Sequence, residues 1–216
     1  MNSGISNLLY WCQLLTWRRP LRWLKERLYD RLEGINTVGR IFHKELGLDE
    51  KTSSAYQACD WNDLKNTLRP DTVSPEDVFI DFGSGKGRML YMAAHSYWFK
   101  KVIGVEISEK LNQTARLNIQ KNLSKLKCKN VEIITSDVSA YPISDDITVV
   151  FLFNPFQGDV FANLVTRLNQ SLVRLPRRMR IIYRNPKMHD CLIENGFKVI
   201  QKLDDITVYE RLGSAI

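Results

Sequence analysis

The sequence has no apolar run long enough to cross a bilayer, no CxxC pair, no low-complexity tract and no internal repeat. The N-terminal stretch from Asn7 to Trp17 is apolar, but it falls well short of the roughly 20 residues a membrane-spanning helix needs. Its cations, Arg18 and Arg19, follow the apolar stretch, whereas a secretory signal carries them in front. No transmembrane segment is expected. The cysteines Cys12, Cys59, Cys128 and Cys191 and the histidines His43, His95 and His189 are scattered along the chain. Only His189 and Cys191 stand close, and two neighbouring ligands without further ones do not make a zinc site. No metal site is expected, and this cysteine usage points to a reducing, cytoplasmic compartment.

The remaining composition is that of an ordinary globular chain. With 216 residues, 44% hydrophobic and 25% charged, it can bury one core and carry a modest appendage. Lysine and arginine number 31 against 24 acids, a formal charge of +7, which fits an anionic partner such as nucleic acid or an acidic surface. A basic surface without such a partner is equally compatible. The cations form three groups: Arg18, Arg19, Arg22 and Lys25 interleaved with Trp11, Trp17 and Trp23; Lys121, Lys125, Lys127 and Lys129; and Arg174, Arg177, Arg178, Arg180 and Arg184. The tryptophan group reads as a helical cap packed on the main domain, with a membrane interface or RNA as the alternative. The lysines sit at a helix C-terminus, where the dipole favours cations.

Residues 1–70 read as an N-terminal helical cap or lid, and residues 71–216 as the main domain. Leu21, Leu24, Leu28 and Leu32 recur at helical spacing after Pro20, with Gly34 as a stop. Two further helices are predicted, from Thr37 to Leu46 and from Ser53 to Leu68. From Asp77 onward apolar runs alternate with amphipathic stretches. Strands are predicted at Val78–Phe82, Lys101–Ile107, Val131–Ser136, Ile147–Phe153, Met179–Tyr183, Phe197–Leu203 and Ile206–Arg211, the last two joined by a tight Asp204-Asp205 turn. Helices fill the earlier gaps. The pattern predicts an α/β fold: a doubly wound, mostly parallel seven-stranded sheet with a C-terminal antiparallel hairpin.

One segment carries chemistry. Asp81-Phe82-Gly83-Ser84-Gly85-Lys86-Gly87-Arg88 follows a strand and opens a helix, the context of a nucleotide-binding turn. A P-loop is excluded, because Gly85-Lys86 is followed by Gly87 and not by Ser or Thr. A dinucleotide fingerprint places its third glycine three residues after the second, whereas Gly83, Gly85 and Gly87 are spaced evenly by two. An acid, Asp81, stands two residues before the first glycine.

This DxGxGxG arrangement resembles motif I of the class I S-adenosylmethionine-dependent methyltransferases. The resemblance implies S-adenosylmethionine as cofactor, held by Asp81, Gly83, Ser84, Gly85 and Gly87. It implies that Glu106 at the next strand end, beside Ile107, binds the ribose hydroxyls, and that Asp137 and Val138 border the adenine. Asn154-Pro155-Phe156, at the end of the following strand, is similar to the Asn-Pro-Pro-aromatic motif of enzymes that methylate nitrogen, although the second proline is missing. These three residues are the catalytic candidates. Within the family the chain looks like small bacterial members with a DFGSGKGR-type turn, and it is more loosely similar to non-SET lysine methyltransferases.

The function implied is methyl transfer to an acceptor of unspecified identity, with nitrogen favoured, on a protein, nucleic acid or small molecule. A neutral amine needs no strong base, and none stands out; Tyr56, Tyr183 and Asn185 are the weaker candidates. The alternatives are a catalytically idle S-adenosylmethionine- or RNA-binding module on the same fold, and a nicotinamide-dependent oxidoreductase.

Overall fold

The computed structural model describes residues 23–42, 45 and 56–213. The expected helix start at Pro20, the tryptophans Trp11 and Trp17, the arginines Arg18, Arg19 and Arg22, Cys12, and the expected helix stop at Gly47 lie outside the described residues.

Residues 23–33 are helical and form α1. After it come β1 (Arg40–Ile41), β2 (Tyr56–Gln57), α2 (Asp63–Thr67), β3 (Val78–Phe82), α3 (Arg88–Ser96), β4 (Lys101–Glu106), α4 (Glu109–Lys121), β5 (Val131–Thr135), β6 (Ile147–Phe153), α5 (Gly158–Arg174), β7 (Arg178–Arg184), α6 (His189–Glu194), β8 (Lys198–Leu203) and β9 (Ile206–Leu212). The last seven strands form one sheet in the order β5-β4-β3-β6-β7-β9-β8. β5, β4, β3, β6 and β7 pair in parallel, while β9 lies antiparallel between β7 and β8. The expected seven-stranded architecture with its closing antiparallel hairpin is the one observed.

Burial explains the strand order. β3 is buried at every position and β6 at nearly every one, so both need neighbours on each edge and layers on each face. Alternate side chains serve opposite layers. Phe79, Val149 and Phe151 join a core with α3, Trp61, Leu64 and Leu68, whereas Ile80, Phe82, Val150 and Leu152 join one with α5 and Leu192. β8, one of the two edge strands, is mostly exposed. Asp204, at φ +26, makes the sharp turn into β9.

The N-terminal part departs from expectation. The segment 35–39 is irregular, and Arg40–Ile41 pairs antiparallel with Tyr56–Gln57 where two helices were predicted. The third predicted helix shrinks to the five residues of α2. In α1 the leucine stripe faces outward, and Asp30 is the buried position. Its carboxylate accepts from the Thr37 and Val38 amides and from the Thr37 hydroxyl, closing the turn after Gly34. The side of α1 that faces the protein is set by this buried hydrogen bonding together with Tyr29, which stacks on Trp61 with ring centroids 5.8 Å apart.

Candidate functional site

The strand order reverses direction at β3, whose neighbours are β4 on one side and β6 on the other. Open α/β sheets gather ligands at the carboxyl ends of the strands beside such a point. Asp81, Glu106, Asp137 and Asn154 all stand at or just past carboxyl ends of β3, β4, β5 and β6.

The glycine turn is built for close approach. Gly83, Gly85 and Gly87 all take positive φ, at +81°, +54° and +79°. A Cβ on Gly83 would stand 2.6 Å from the Pro155 Cβ, and one on Gly85 would stand 2.4 Å from the Tyr56 ring. The turn therefore touches the loop after β6 on one side and β2 on the other. Glu106 fixes it from below, accepting from the Gly85 amide at 3.0 Å and the Ser108 amide at 2.9 Å. A carboxylate has about four acceptor positions, so some acceptor capacity remains beyond its bonds to backbone amides. The Ser84 hydroxyl is buried against β4, at 2.8 Å from where a Gly104 Cβ would lie, and finds no partner among the described residues.

Asp81 is the electrostatic anomaly. It is buried, and among the described residues no hydrogen bond reaches its carboxylate. Burial, and then the neighbouring Glu106 charge, raise its pKa well above the usual carboxylate range. Glu106 is also raised, by burial, against the opposing pull of the Ser108, Gly85 and Ile107 backbone amides. Two buried acids with no cation between them are costly unless a ligand supplies positive charge or a proton is taken up.

The other predicted residues fall nearby. Ile107 is half exposed at the end of β4. Asp137 is exposed, and its Oδ1 accepts from the Ser139 amide at 2.7 Å, so one oxygen is spent on its own loop. The Val138 carbonyl accepts from Arg167 at 2.8 Å. Asn154 is buried at φ +42, a backbone state that non-glycine residues seldom adopt. Pro155 abuts Gly83, while Phe156 is buried beside Phe161 with ring centroids 6.3 Å apart. Of the weaker base candidates, Tyr56 borders Gly85 and donates to the Thr37 carbonyl at 2.5 Å. Burial pushes the Tyr56 hydroxyl well above its usual pKa and that of Tyr183 up to about 12, so neither is a ready base.

Two buried ionic centres escaped the sequence reading. Arg88, directly after the last glycine of the turn, donates to Glu26, to Asp30 at 3.1 Å, to the Thr37 hydroxyl at 2.7 Å and to the Cys59 carbonyl at 2.5 Å. Its guanidinium also lies over the Trp61 ring, 4.9 Å from the centroid. Arg184, at the end of β7, pairs with Asp63 and Asp205 and lies over Phe153. Burial pushes Asp63 up to about 6 even beside that guanidinium. Arg88 follows the motif immediately, so its position was visible; its partners are remote in sequence and were not.

The C-terminal arginine cluster dissolves into separate contacts. Arg174 pairs with Asp145, Arg178 approaches Glu210, Arg180 binds Thr72, and Arg177 donates to the carbonyls of Ile147, Ser171 and Leu175. Lys125, Lys127 and Lys129 likewise donate to the carbonyls of Glu33, Ser96 and Ser124.

A family model described as histone methylation protein DOT1 matches residues 49–206. A protein-lysine N-methyltransferase of Saccharolobus islandicus (strain REY15A) is 42% identical over 59 residues, which is 27% of this chain and 37% of that relative's length. Among solved structures, magnesium protoporphyrin IX methyltransferase from Synechocystis PCC 6803 with bound SAH aligns with a TM-score of 0.52 at 18% identity, over 71% of this chain and 81% of that one. The pyocyanin biosynthetic protein PhzM aligns with a TM-score of 0.54 at 13% identity, over 71% of this chain and 54% of that one. At these identities the two structures share the fold.

Proposed function

The chain belongs to the family of the histone methylation protein DOT1, and from that premise we propose that it transfers the methyl group of S-adenosylmethionine to a nitrogen, the side-chain amine of a protein lysine. The observation that carries the reading is the pair of buried acids, Asp81 and Glu106, beside a glycine turn, with no cation pairing with either among the described residues. The cofactor carries an α-ammonium and a sulfonium, so it brings the missing charge.

In this assignment Asp81 holds the ammonium end. The bare backbone of Gly83, Ser84, Gly85 and Gly87 lets the amino-acid portion approach. Glu106 uses its remaining acceptor positions on the ribose hydroxyls, and Ile107, Asp137 and Val138 border the adenine. When bound, the cofactor would supply an electrophilic methyl to the neutral form of the lysine amine, which gives up its proton to solvent beforehand, and S-adenosylhomocysteine would be the leaving group. Asn154, Pro155 and Phe156 orient the acceptor nitrogen, and alignment with exclusion of water is the protein's chief contribution. Lysine is favoured as acceptor by the family's description and by the name of the lysine N-methyltransferase relative. The three described cysteines are free, in keeping with a reducing cytoplasmic setting.

The test is thermal unfolding with S-adenosylhomocysteine, with NAD and alone, followed by transfer of labelled methyl to histone and ribosomal protein mixtures. At about a hundredfold its dissociation constant a ligand adds roughly 2.7 kcal/mol, which raises the midpoint by about 5–10 °C for a chain of this size. A shift with adenosylhomocysteine alone, lost in Glu106→Ala, supports the site. A shift with NAD would overturn it in favour of an oxidoreductase. Binding without label transfer, unchanged in Asn154→Ala, would identify an idle module.

A further inference from the structure

Helix α1 carries three acids and three cations and segregates them. Every acid of residues 23–33 is engaged by the protein: Glu26 and Asp30 bind Arg88, and Glu33 accepts from the Tyr91 hydroxyl at 2.7 Å. Every cation of the helix, Lys25, Arg27 and Arg31, is exposed. Between those cations run Leu24, Leu28 and Leu32, 60%, 54% and 68% exposed, with Trp23 at 51%. The leucines are spaced by four and share one face. The Arg27 guanidinium lies over the Trp23 ring, 4.7 Å from its centroid. In the sequence no acid precedes Glu26, whereas Arg18, Arg19 and Arg22 lead into the helix.

We propose that this outward face of α1, Leu24, Leu28 and Leu32 flanked by Lys25 on one side and Arg27 and Arg31 on the other, docks on an anionic lipid surface. A helix lying in the plane of such a surface buries an apolar stripe at the acyl boundary while its cations reach up to the headgroups. Charge complementarity selects this occupant. A second copy of the chain would set three cations against three cations across a symmetric contact. A nucleic acid would use the cations and the tryptophan, but phosphates give no role to three exposed leucines. The Arg88 contacts tie the inner side of α1 to the helix that follows the glycine turn, so docking would hold the whole domain at the surface.

The experiment is flotation of the full chain with vesicles of phosphatidylcholine alone, and with vesicles of equal parts phosphatidylcholine and phosphatidylglycerol. Two variants accompany it, the triple Leu24→Ser, Leu28→Ser, Leu32→Ser and the triple Lys25→Glu, Arg27→Glu, Arg31→Glu. All six side chains are exposed, so both variants should keep the wild-type unfolding midpoint. The wild type is expected to float with the mixed vesicles only and to be released by salt. Each triple variant should weaken binding by more than roughly tenfold. No flotation of the wild type, or undiminished flotation of the leucine variant, overturns the proposal. A gel shift of duplex RNA or DNA lost only in the charge variant, without vesicle binding, would make the face a nucleic-acid surface instead.

Discussion

Asp81 is where burial and function oppose each other. A carboxyl whose pKa is raised in the folded state binds its proton more tightly there than in the unfolded chain. Stability from such a group is present at low pH and is lost as pH rises from about 4, the unfolded value, through the folded one. Asp63, pushed up to about 6, acts in the same direction. The ligand-free protein is therefore expected to lose stability between pH 4 and neutrality, with Asp81→Asn flattening that slope and gaining on the order of 1–3 kcal/mol at pH 7. Denaturant melts across pH measure this; an unchanged slope in the variant would show that Asp81 is not the cause. The cofactor's ammonium should favour the ionised acid, so binding should release a proton and tighten as pH rises. Calorimetry in buffers of different ionisation enthalpy reads the released proton, and Asp81→Asn should abolish it.

At the scale of elements, the glycine turn owes its form to what packs against it. Gly83→Ala would press a methyl into Pro155, and Gly85→Ala would press one into the Tyr56 ring, each at positive φ. Gly158 offers the control, since it too has positive φ, +61°, but meets nothing within 4 Å. Ala at Gly158 should cost only the left-handed penalty of about 1–2 kcal/mol, while the two turn variants should add an overpacking cost of about 1–3 kcal/mol. Denaturant midpoints compare the three, and equal losses would mean that Tyr56 and Pro155 yield freely. The turn itself was legible, because its glycines and acid are contiguous and follow a buried strand. So were the strands from β3 onward, whose apolar runs report burial on two faces. The N-terminal elements were not. The spacing of Leu24, Leu28 and Leu32 correctly marks one face of a helix, but periodicity does not say which face is inside. That was decided by Arg88, whose bonds to Glu26 and Asp30 pull the polar side inward, and by Tyr29, which stacks on Trp61 from the same side. β1 and β2 have two residues each, too few to carry any alternation.

The same long-range contacts bear on how the whole molecule folds. One hydrophobic cluster spans residue 70, the expected boundary between cap and main domain. Ile35, Cys59, Trp61, Leu64 and Leu68 share one hydrophobic cluster with Phe79, Met89, Leu90 and Tyr91. The side-chain partners of Arg88, namely Glu26, Asp30, Thr37 and the Cys59 carbonyl, all precede residue 70, as does Asp63, the buried partner of Arg184. A piece comprising residues 71–216 would keep a guanidinium at Arg88 without its acids, and Arg184 would retain only Asp205. Removing one partner of a buried ion pair costs about 3–5 kcal/mol, and whole domains have only about 5–15 kcal/mol to lose. The piece is therefore expected not to fold, and the full chain should unfold in one cooperative transition. Milder removal of the same link, by Arg88→Ala in the full chain, should speed amide exchange across residues 23–37 more than across the sheet. If residues 71–216 alone melt cooperatively and still shift with adenosylhomocysteine, the N-terminal part is an accessory to the cofactor domain and not a part of its core.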